Sequence, residues 1–166
     1  MARKGATATA RQYLKGFNDL RTYLTTGVLQ AAGLAVDATA EKFKTTAVFV
    51  WKRNGIQFTK AATGAIVFSA AHVVTASKFG VVLVQITDAG VISTKVPASP
   101  QAYTTAPLAL AALPAADAGN TVVGYIAIAN NAGDWTANTD DLTDGSDLTT
   151  ATFVDATVAS IPDELT

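Results

Sequence analysis

The sequence predicts a mainly β protein: an antiparallel sandwich or jelly-roll-like body with one or two short helices, preceded by an N-terminal amphipathic helical arm. Three observations predict this class. Short apolar runs alternate with turn signals from Thr46 onward. Residues 10–25 instead carry apolar side chains at helical spacing. The length of 166 residues suits one compact body in addition to this arm.

The N-terminal arm is predicted to contain a single helix over residues 10–25. Its apolar side chains would form one stripe, while basic side chains occupy other faces. A helix of this length is marginal alone in water, so the stripe predicts docking onto the body or onto a neighbouring copy. The residues expected to dock are Tyr13, Phe17, Leu20 and Leu24, and those expected to steer the approach are Arg11, Lys15 and Arg21.

Charge is distributed unevenly along the chain. We divide the chain into a basic helical arm and connector (1–45), a β-rich body (46–158) and an acidic tail (159–166). Residues 25–45 mix Gly, Ala and Thr without a clear period and are interpreted as a connector with a short helical piece. Residues 1–60 hold ten basic and three acidic residues, a net charge of +7, and residues 61–166 hold two basic and ten acidic residues, a net charge of −8. Such asymmetry favours a binding partner for at least one end of the chain.

The body opens with a predicted β-hairpin. Thr46–Lys52 is rich in β-branched and aromatic residues, and apolar alternation resumes over residues 56–58. Between them, Asn54 and Gly55 form the dipeptide that most favours a two-residue hairpin turn. This is the strongest local prediction in the sequence.

A second hairpin is predicted further along the body. Ala65–Ser69 is expected to be a strand, and Ala70–Ser77 a short helix or an irregular crossing. Phe79–Thr87 is a continuous apolar run typical of a buried strand. The turn residues 88–90 end this run, and Val91–Val96 is predicted to return beside it.

The last predicted elements are a helix and two strands. Ala102–Leu113 is rich in Ala and Leu and should be helical from Pro107, since proline is tolerated in the first turn. Thr121–Ala129 is an apolar strand with Gly124 inside it, which predicts a bulge or a close backbone approach. Thr149–Val154 is predicted as a short terminal strand.

The sequence does not predict an enzyme. His72 is the only histidine, its neighbours are apolar, and no serine motif or acid is placed to orient it, so it is interpreted as a structural residue. The chain has no cysteine, which removes thiolate chemistry and disulfides. Its glycines form no nucleotide-binding motif, and we expect no cofactor.

The acidic stretch Asp134–Asp147 is the best candidate for a cation site. If Gly145 were the sixth residue of an EF-hand loop, Leu142 and Ala151 would fall at positions that need oxygen ligands. The stretch is therefore interpreted as a solvated, turn-forming loop, with a looser cation site or an interface left open. We predict no metal site here.

The two tryptophans carry different expectations. Trp51 lies in the first predicted hairpin and should fill the core. Trp135 lies in the polar loop, where it either packs that loop down or anchors a contact with a partner. We count Trp135 among the candidate interface residues.

The order of the body segments resembles tailed-phage virion proteins of the capsid decoration, cement or head-fibre type. The resemblance covers Lys44–Ala156 and excludes the arm. It rests on the segments "TTAVFVWKRNGIQFTKAA", "FGVVLVQITDAGVIS", "LALAALPAADAGNTVVGYIAIA", "GDWTANTDDL" and "TATFVDAT". It implies a homo-oligomer, commonly a trimer, that binds the outside of an assembled shell and strengthens contacts between major capsid proteins. The chain would be made in the host cytoplasm and would end in the virion.

Two other functions remain open from the sequence. A tail or fibre adsorption module would bind host carbohydrate on exposed aromatic rings, for which Trp135 and Tyr103 are the candidates. A nucleic-acid-associated protein would use the basic arm, although its basic residues are sparse. A membrane span is not predicted, because the longest apolar runs fall far short of roughly 18 residues. Charged residues make up only 15% of the chain, which favours lateral packing against protein.

Overall fold

The protein is mainly β with one short helix in the computed structural model, which describes residues 26–143 and 148–157. The helix, α1, spans Ala106–Ala111. The strands are β1 (Gly27–Val28), β2 (Leu34–Val36), β3 (Phe43–Thr45), β4 (Phe49–Arg53), β5 (Ile56–Lys60), β6 (Thr63–Ile66), β7 (Val73–Val74), β8 (Phe79–Thr87), β9 (Ile92–Lys95), β10 (Asn120–Asn130), β11 (Trp135–Thr136) and β12 (Leu148–Asp155). Over the same residues, the structure contains no helix that could span a membrane.

All the strand pairs within the sheets are antiparallel, as the sequence predicted. The largest sheet has the order β12-β10-β8-β9. Two three-stranded sheets have the orders β1-β4-β5 and β2-β3-β6, and β11 pairs with β7. The prediction of a mainly β, antiparallel body with a short helix is therefore confirmed over the described residues.

The first predicted hairpin is confirmed as β4 and β5. Asn54 and Gly55 connect the strands with φ of 49° and 80°. Positive φ at both central residues is the signature of a type I′ turn, whose twist matches that of the flanking strands. Trp51 is buried in β4 and stacks on Phe58 of β5, with ring centroids 5.4 Å apart.

The second hairpin is confirmed as β8 and β9. The predicted strand Phe79–Thr87 agrees with β8 at both ends, and Gly90 adopts a φ of 79° in the turn. The strand predicted over residues 65–69 is displaced, since β6 spans Thr63–Ile66. The crossing that follows contains the two-residue strand β7 and no helix.

Gly124 in β10 was predicted to mark either a bulge or a close backbone approach, and the structure shows both. The register between β10 and β8 shifts between Val122 and Gly124, which marks a β-bulge. A Cβ at Gly124 would collide with the carbonyl oxygen of Val154 in β12 and with the side chain of Leu34 in β2. Glycine is required here because two other parts of the chain approach its Cα closely.

The predicted connector is the main error of the sequence-based prediction. Residues 25–45 were expected to be irregular with a helical piece, but they contribute β1, β2 and β3 over the described positions from 26 onward. Gly27 and Val28 pair with β4, and Phe43 pairs with Ile66 of β6. Strands of two or three residues are too short to show a period of two, which is why the pattern did not reveal them. The β-rich body therefore includes residues well before 46.

Helix α1 confirms the predicted helical segment in a shorter form. Thr105 is its N-cap, and its hydroxyl accepts a hydrogen bond from the N–H of Leu108 at 3.4 Å. Pro107 lies in the first turn, as expected. Ala109 is the buried residue of the helix, and the helix packs on β8 and β10 of the largest sheet.

One continuous core joins the sheets. It contains Trp51 from the first hairpin, Phe43 and Phe68 from the region of β3 and β6, and Val82 and Ile126 from the largest sheet. Residues of the small sheets and of the largest sheet thus share this core. The helix predicted over residues 10–25 and the acidic tail over residues 159–166 lie outside the described residues.

Candidate interaction surface

The predicted docking residues of the arm lie outside the part of the chain that the structure describes. Their proposed contacts therefore stay predictions. These residues are Arg11, Tyr13, Lys15, Phe17, Leu20, Arg21 and Leu24.

The described body is close to neutral, which changes the interpretation of the charge division. The basic residues Lys42, Lys44, Lys52 and Arg53 were counted with the N-terminal part, but they lie on or beside the strands of the body. The described ranges 26–143 and 148–157 contain seven basic and eight acidic residues, a net charge of −1. The contrast of +7 and −8 therefore does not separate an arm from an acidic body.

Trp135 is fully buried in β11. Its ring packs edge-on against Phe68, with centroids 5.8 Å apart, and its indole N–H donates to the backbone oxygen of Asp141 at 3.3 Å. This position matches the alternative in which the residue packs its loop down. A buried indole offers no platform for a sugar ring, so the half-buried Tyr103 is the remaining aromatic candidate for carbohydrate binding.

The carboxylates of the polar loop bond to backbone N–H groups. Asp134 accepts from the N–H of Ala76 at 2.8 Å, and Asp140 accepts from that of Thr136 at 2.6 Å. These bonds give both acids a structural role in the turns around β11. Across residues 26–143 and 148–157, no group of three or more His, Asp or Glu side chains could hold a metal ion. Asp144 and Asp147 lie outside the described residues.

His72 is a buried residue in a largely apolar setting. Its Nε2 lies 3.4 Å from the hydroxyl oxygen of Thr94, and its ring meets that of Phe68 edge-on with centroids 6.1 Å apart. Burial lowers the pKa of His72 below its ordinary value near 6.5, because the charged imidazolium is poorly solvated there. Thr94 also exchanges two hydrogen bonds with Ser69, at 2.9 and 2.8 Å, in which each hydroxyl accepts from the backbone N–H of the other residue. His72 therefore contributes to packing between β9 and the segment after β6.

The surface that stands out is the outer face of the largest sheet. Residues on strands alternate between faces, and Val82, Ile126 and Phe153 belong to the core side. Their neighbours along the strands consequently point the other way, and α1 lies against that side, over β8 and β10. We define the outer face as α1 together with Tyr125, Ala127, Ala129, Thr150, Thr152 and Val154.

The outer face carries no charge. Residues 96–116, 118–133 and 148–154, which include every residue of the face, contain no Asp, Glu, Lys, Arg or His. On α1, Leu108 is 53% exposed and Leu110 is 38% exposed. A shallow groove of about 100 Å³ separates the helix from β10 and β12 and is lined by Leu110, Ala127, Thr150 and other uncharged residues. A contiguous uncharged surface with exposed leucines is typical of a protein–protein contact.

Charged residues bound the outer face on the side of β9. Lys95 donates to a carboxylate oxygen of Asp117 at 2.6 Å, and Gln85 donates to the other oxygen at 2.6 Å. These hydrogen bonds hold the pKa of Asp117 below its ordinary value. The bond from Lys95 has the larger effect and the bond from Gln85 the smaller one. Arg53 and Asp88 form a second ion pair at 3.1 Å, between the two hairpins. Two ion pairs thus lie on or beside the hairpin of β8 and β9.

The sequence-based prediction did not include this face, although one signal was present. The three uncharged stretches can be read directly from the sequence, and they account for much of its low overall charge. Their convergence depends on the strand order β12-β10-β8, which brings residues from two distant segments side by side.

Comparison of the chain with protein-family models, curated protein sequences and solved structures gives no match. Inferences about function therefore rest on the sequence of this chain and on the surface that its fold presents.

Proposed function

We propose that this protein is a non-catalytic virion structural protein that binds and stabilises the outside of an assembled phage capsid as a decoration or cement subunit. The observation that carries the proposal is the uncharged outer face, on which α1 exposes Leu108 and Leu110. The core of a stable interface is depleted in charged residues, and this face has none. The resemblance of the body segments to virion proteins supports the same function.

The proposed architecture suits such a role. We propose that the body is a β-sandwich, with the smaller sheets covering the inner face of the largest sheet and the outer face left for the shell. In this arrangement the major capsid protein or another shell protein is the partner. A homo-oligomer, with a trimer favoured by the resemblance, would multiply weak contacts over the symmetric particle.

The proposal is tested by adding the purified full-length chain to shells of the phage that encodes it, after those shells have been stripped of the chain. We expect saturable binding that the double substitution Leu108→Glu/Leu110→Glu weakens by at least about tenfold, because it places charge in a desolvated contact. Val91→Glu is the matched control, since Val91 is 59% exposed between β8 and β9 and is not a residue of the outer face. Absence of binding by the unaltered chain would refute the function.

A truncation tests the part that the arm plays. Removing residues 1–25 should abolish binding to shells, provided that circular dichroism shows the truncated body to be folded. A folded truncation that still saturates shells would remove the arm from the proposal and leave the outer face as the binding surface.

A further inference from the structure

We infer that β12 pairs with β12 of a second copy of this chain, antiparallel and about a two-fold axis. Strand β12 lies at the edge of the largest sheet and has eight residues, and the described residues give it one partner, β10. Long edge strands with apolar or neutral side chains are templates for pairing with another chain. The idea that the paired copies present their outer faces to a shell rests on the proposed function. The pairing of the two β12 strands does not depend on it.

The backbone of β12 presents hydrogen-bonding groups at this edge. The N–H of Ala156 donates to the carbonyl oxygen of Val123 at 2.9 Å, on the β10 side. In an antiparallel ladder the pairing groups of successive residues alternate between the two sides. The N–H and C=O groups of Ala151 and Phe153 therefore point away from β10, toward the position of a further strand.

The opposite edge of the same sheet is protected, so the two edges of this sheet differ. Strand β9 has only four residues and ends in Lys95, a residue type that blocks edge pairing. Beyond the end of β9, the side-chain amide of Gln101 bonds both the N–H and the C=O of Val81, at 2.8 and 3.1 Å. The carbonyl of Tyr103 then accepts from the N–H of Phe79 at 2.9 Å. Strand β12 carries one charged residue, Asp155 at its end, whose carboxylate accepts from the N–H of Leu34. Among the described residues, no side chain bonds the outward backbone groups of Ala151 and Phe153 as Gln101 bonds those of Val81.

The lack of charge on residues 148–154 of β12 favours a second copy over a charged partner. A surface that binds its own copy meets identical charges near the two-fold axis, and residues 148–154 carry none. A nucleic acid or an acidic or basic peptide would find no opposite charge on this part of the strand. A register centred on Thr152 pairs Ala151 with Phe153 of the second copy, and the backbone groups of both point outward.

Centring on Thr152 has a measurable geometric consequence. The two copies of Thr152 would form a non-hydrogen-bonded pair, with Cα atoms about 4.5 Å apart. Thr150 would lie opposite Val154, so that the cross-strand pairs on the outer face are uncharged. The two outer faces would join into one continuous surface on the same side of the combined sheet, doubling the area offered to a shell.

The first test uses disulfide formation in the full-length chain, which has no cysteine of its own. The substitution Thr152→Cys should give a covalent dimer rapidly under mild oxidation, because a Cα separation of about 4.5 Å is within disulfide range. Thr59→Cys is the matched control, an exposed threonine on the edge strand β5. Cross-linking of Thr152→Cys no faster than that of Thr59→Cys would overturn the inference.

The second test uses charge at the same position and needs no cross-link. Thr152→Lys and Thr152→Glu should each weaken self-association by about fivefold or more in sedimentation experiments, because like charges would face each other. Mixing the two variants should restore association as a mixed dimer. Variants with the mass distribution of the unaltered chain, separately and mixed, would also overturn the inference.

Shell binding separates this inference from the proposed function. A chain that saturates shells but shows no contact at Thr152, for example as a trimer built through another surface, keeps the function and loses the β12 contact. A chain that dimerises through β12 and does not bind shells keeps the contact and loses the function.

Discussion

Gln101 takes the place of a strand beside Val81. Its side-chain oxygen accepts from the Val81 N–H at 2.8 Å, and its side-chain amide donates to the Val81 carbonyl at 3.1 Å. Both residues are buried, so no water can replace these bonds. One side chain thus completes the ladder of β8 where β9 has already ended.

Replacing Gln101 by leucine should destabilise the protein strongly. Gln101→Leu keeps a side chain of similar size but leaves the N–H and C=O of Val81 buried without partners. Each of the two unsatisfied groups costs roughly 1–3 kcal/mol, so we expect the free energy of unfolding to fall by about 2–6 kcal/mol in urea denaturation. Gln57→Leu, at an exposed position in β5, should change it by less than about 0.5 kcal/mol. Equal effects of the two substitutions would contradict the role assigned to Gln101.

Thr121→Val should leave stability unchanged or increase it by about 1 kcal/mol. The hydroxyl of Thr121 in β10 is buried and has no hydrogen-bond partner, which is a desolvation cost without a compensating bond. Valine has nearly the same shape and removes the hydroxyl. Thermal unfolding of the two proteins measures the difference, and a clear loss of stability in the variant would mean that the hydroxyl has a partner.

The stability of the protein should fall as the pH is lowered through the range below about 6.5. Burial lowers the pKa of His72, so the unfolded chain takes up a proton near pH 6.5 while the folded chain does not. The contribution of neutral His72 to the free energy of unfolding is therefore fully present above about pH 6.5. It is lost as the pH falls from there toward the lowered pKa of His72 in the folded state. His72→Gln should show a smaller loss of unfolding free energy between about pH 7.5 and pH 5. The same loss in both proteins would assign this pH dependence to other groups.

A second acid-sensitive contribution should appear at lower pH. The pKa of Asp117 is lowered by its hydrogen bonds with Lys95 and Gln85, so its stabilising effect is present above the ordinary aspartate value and is lost as the pH falls below it. Asp117→Asn should reduce the difference in unfolding free energy between about pH 6 and pH 3. Lys95→Met removes the hydrogen bond that lowers the pKa of Asp117 most, so it should also reduce the difference in unfolding free energy between these two pH values. A variant with an undiminished difference would show that Asp117 does not contribute to it.

The elements that local sequence determined are those whose signal lies within a few residues. Asn54 and Gly55 fix a turn because both can adopt positive φ, and Phe79–Thr87 is apolar enough to be buried on both faces. Gly124 could be predicted as a bulge or close approach because a glycine inside an apolar strand usually marks one of these two features. Strands β1, β2 and β3 escaped prediction because their two or three residues are held by partners elsewhere in the chain.

The sequence by itself also determined that much of the body is uncharged, since residues 96–116, 118–133 and 148–154 contain no acidic, basic or histidine side chain. Only the tertiary structure decided where those stretches meet. The pairing of β10 with β8 and β12 places Ala127 and Thr152 side by side on the face that α1 covers in part, and the fold buries Trp135, a candidate for the surface from sequence alone. Strand order is set by contacts between distant segments, and no local pattern records it.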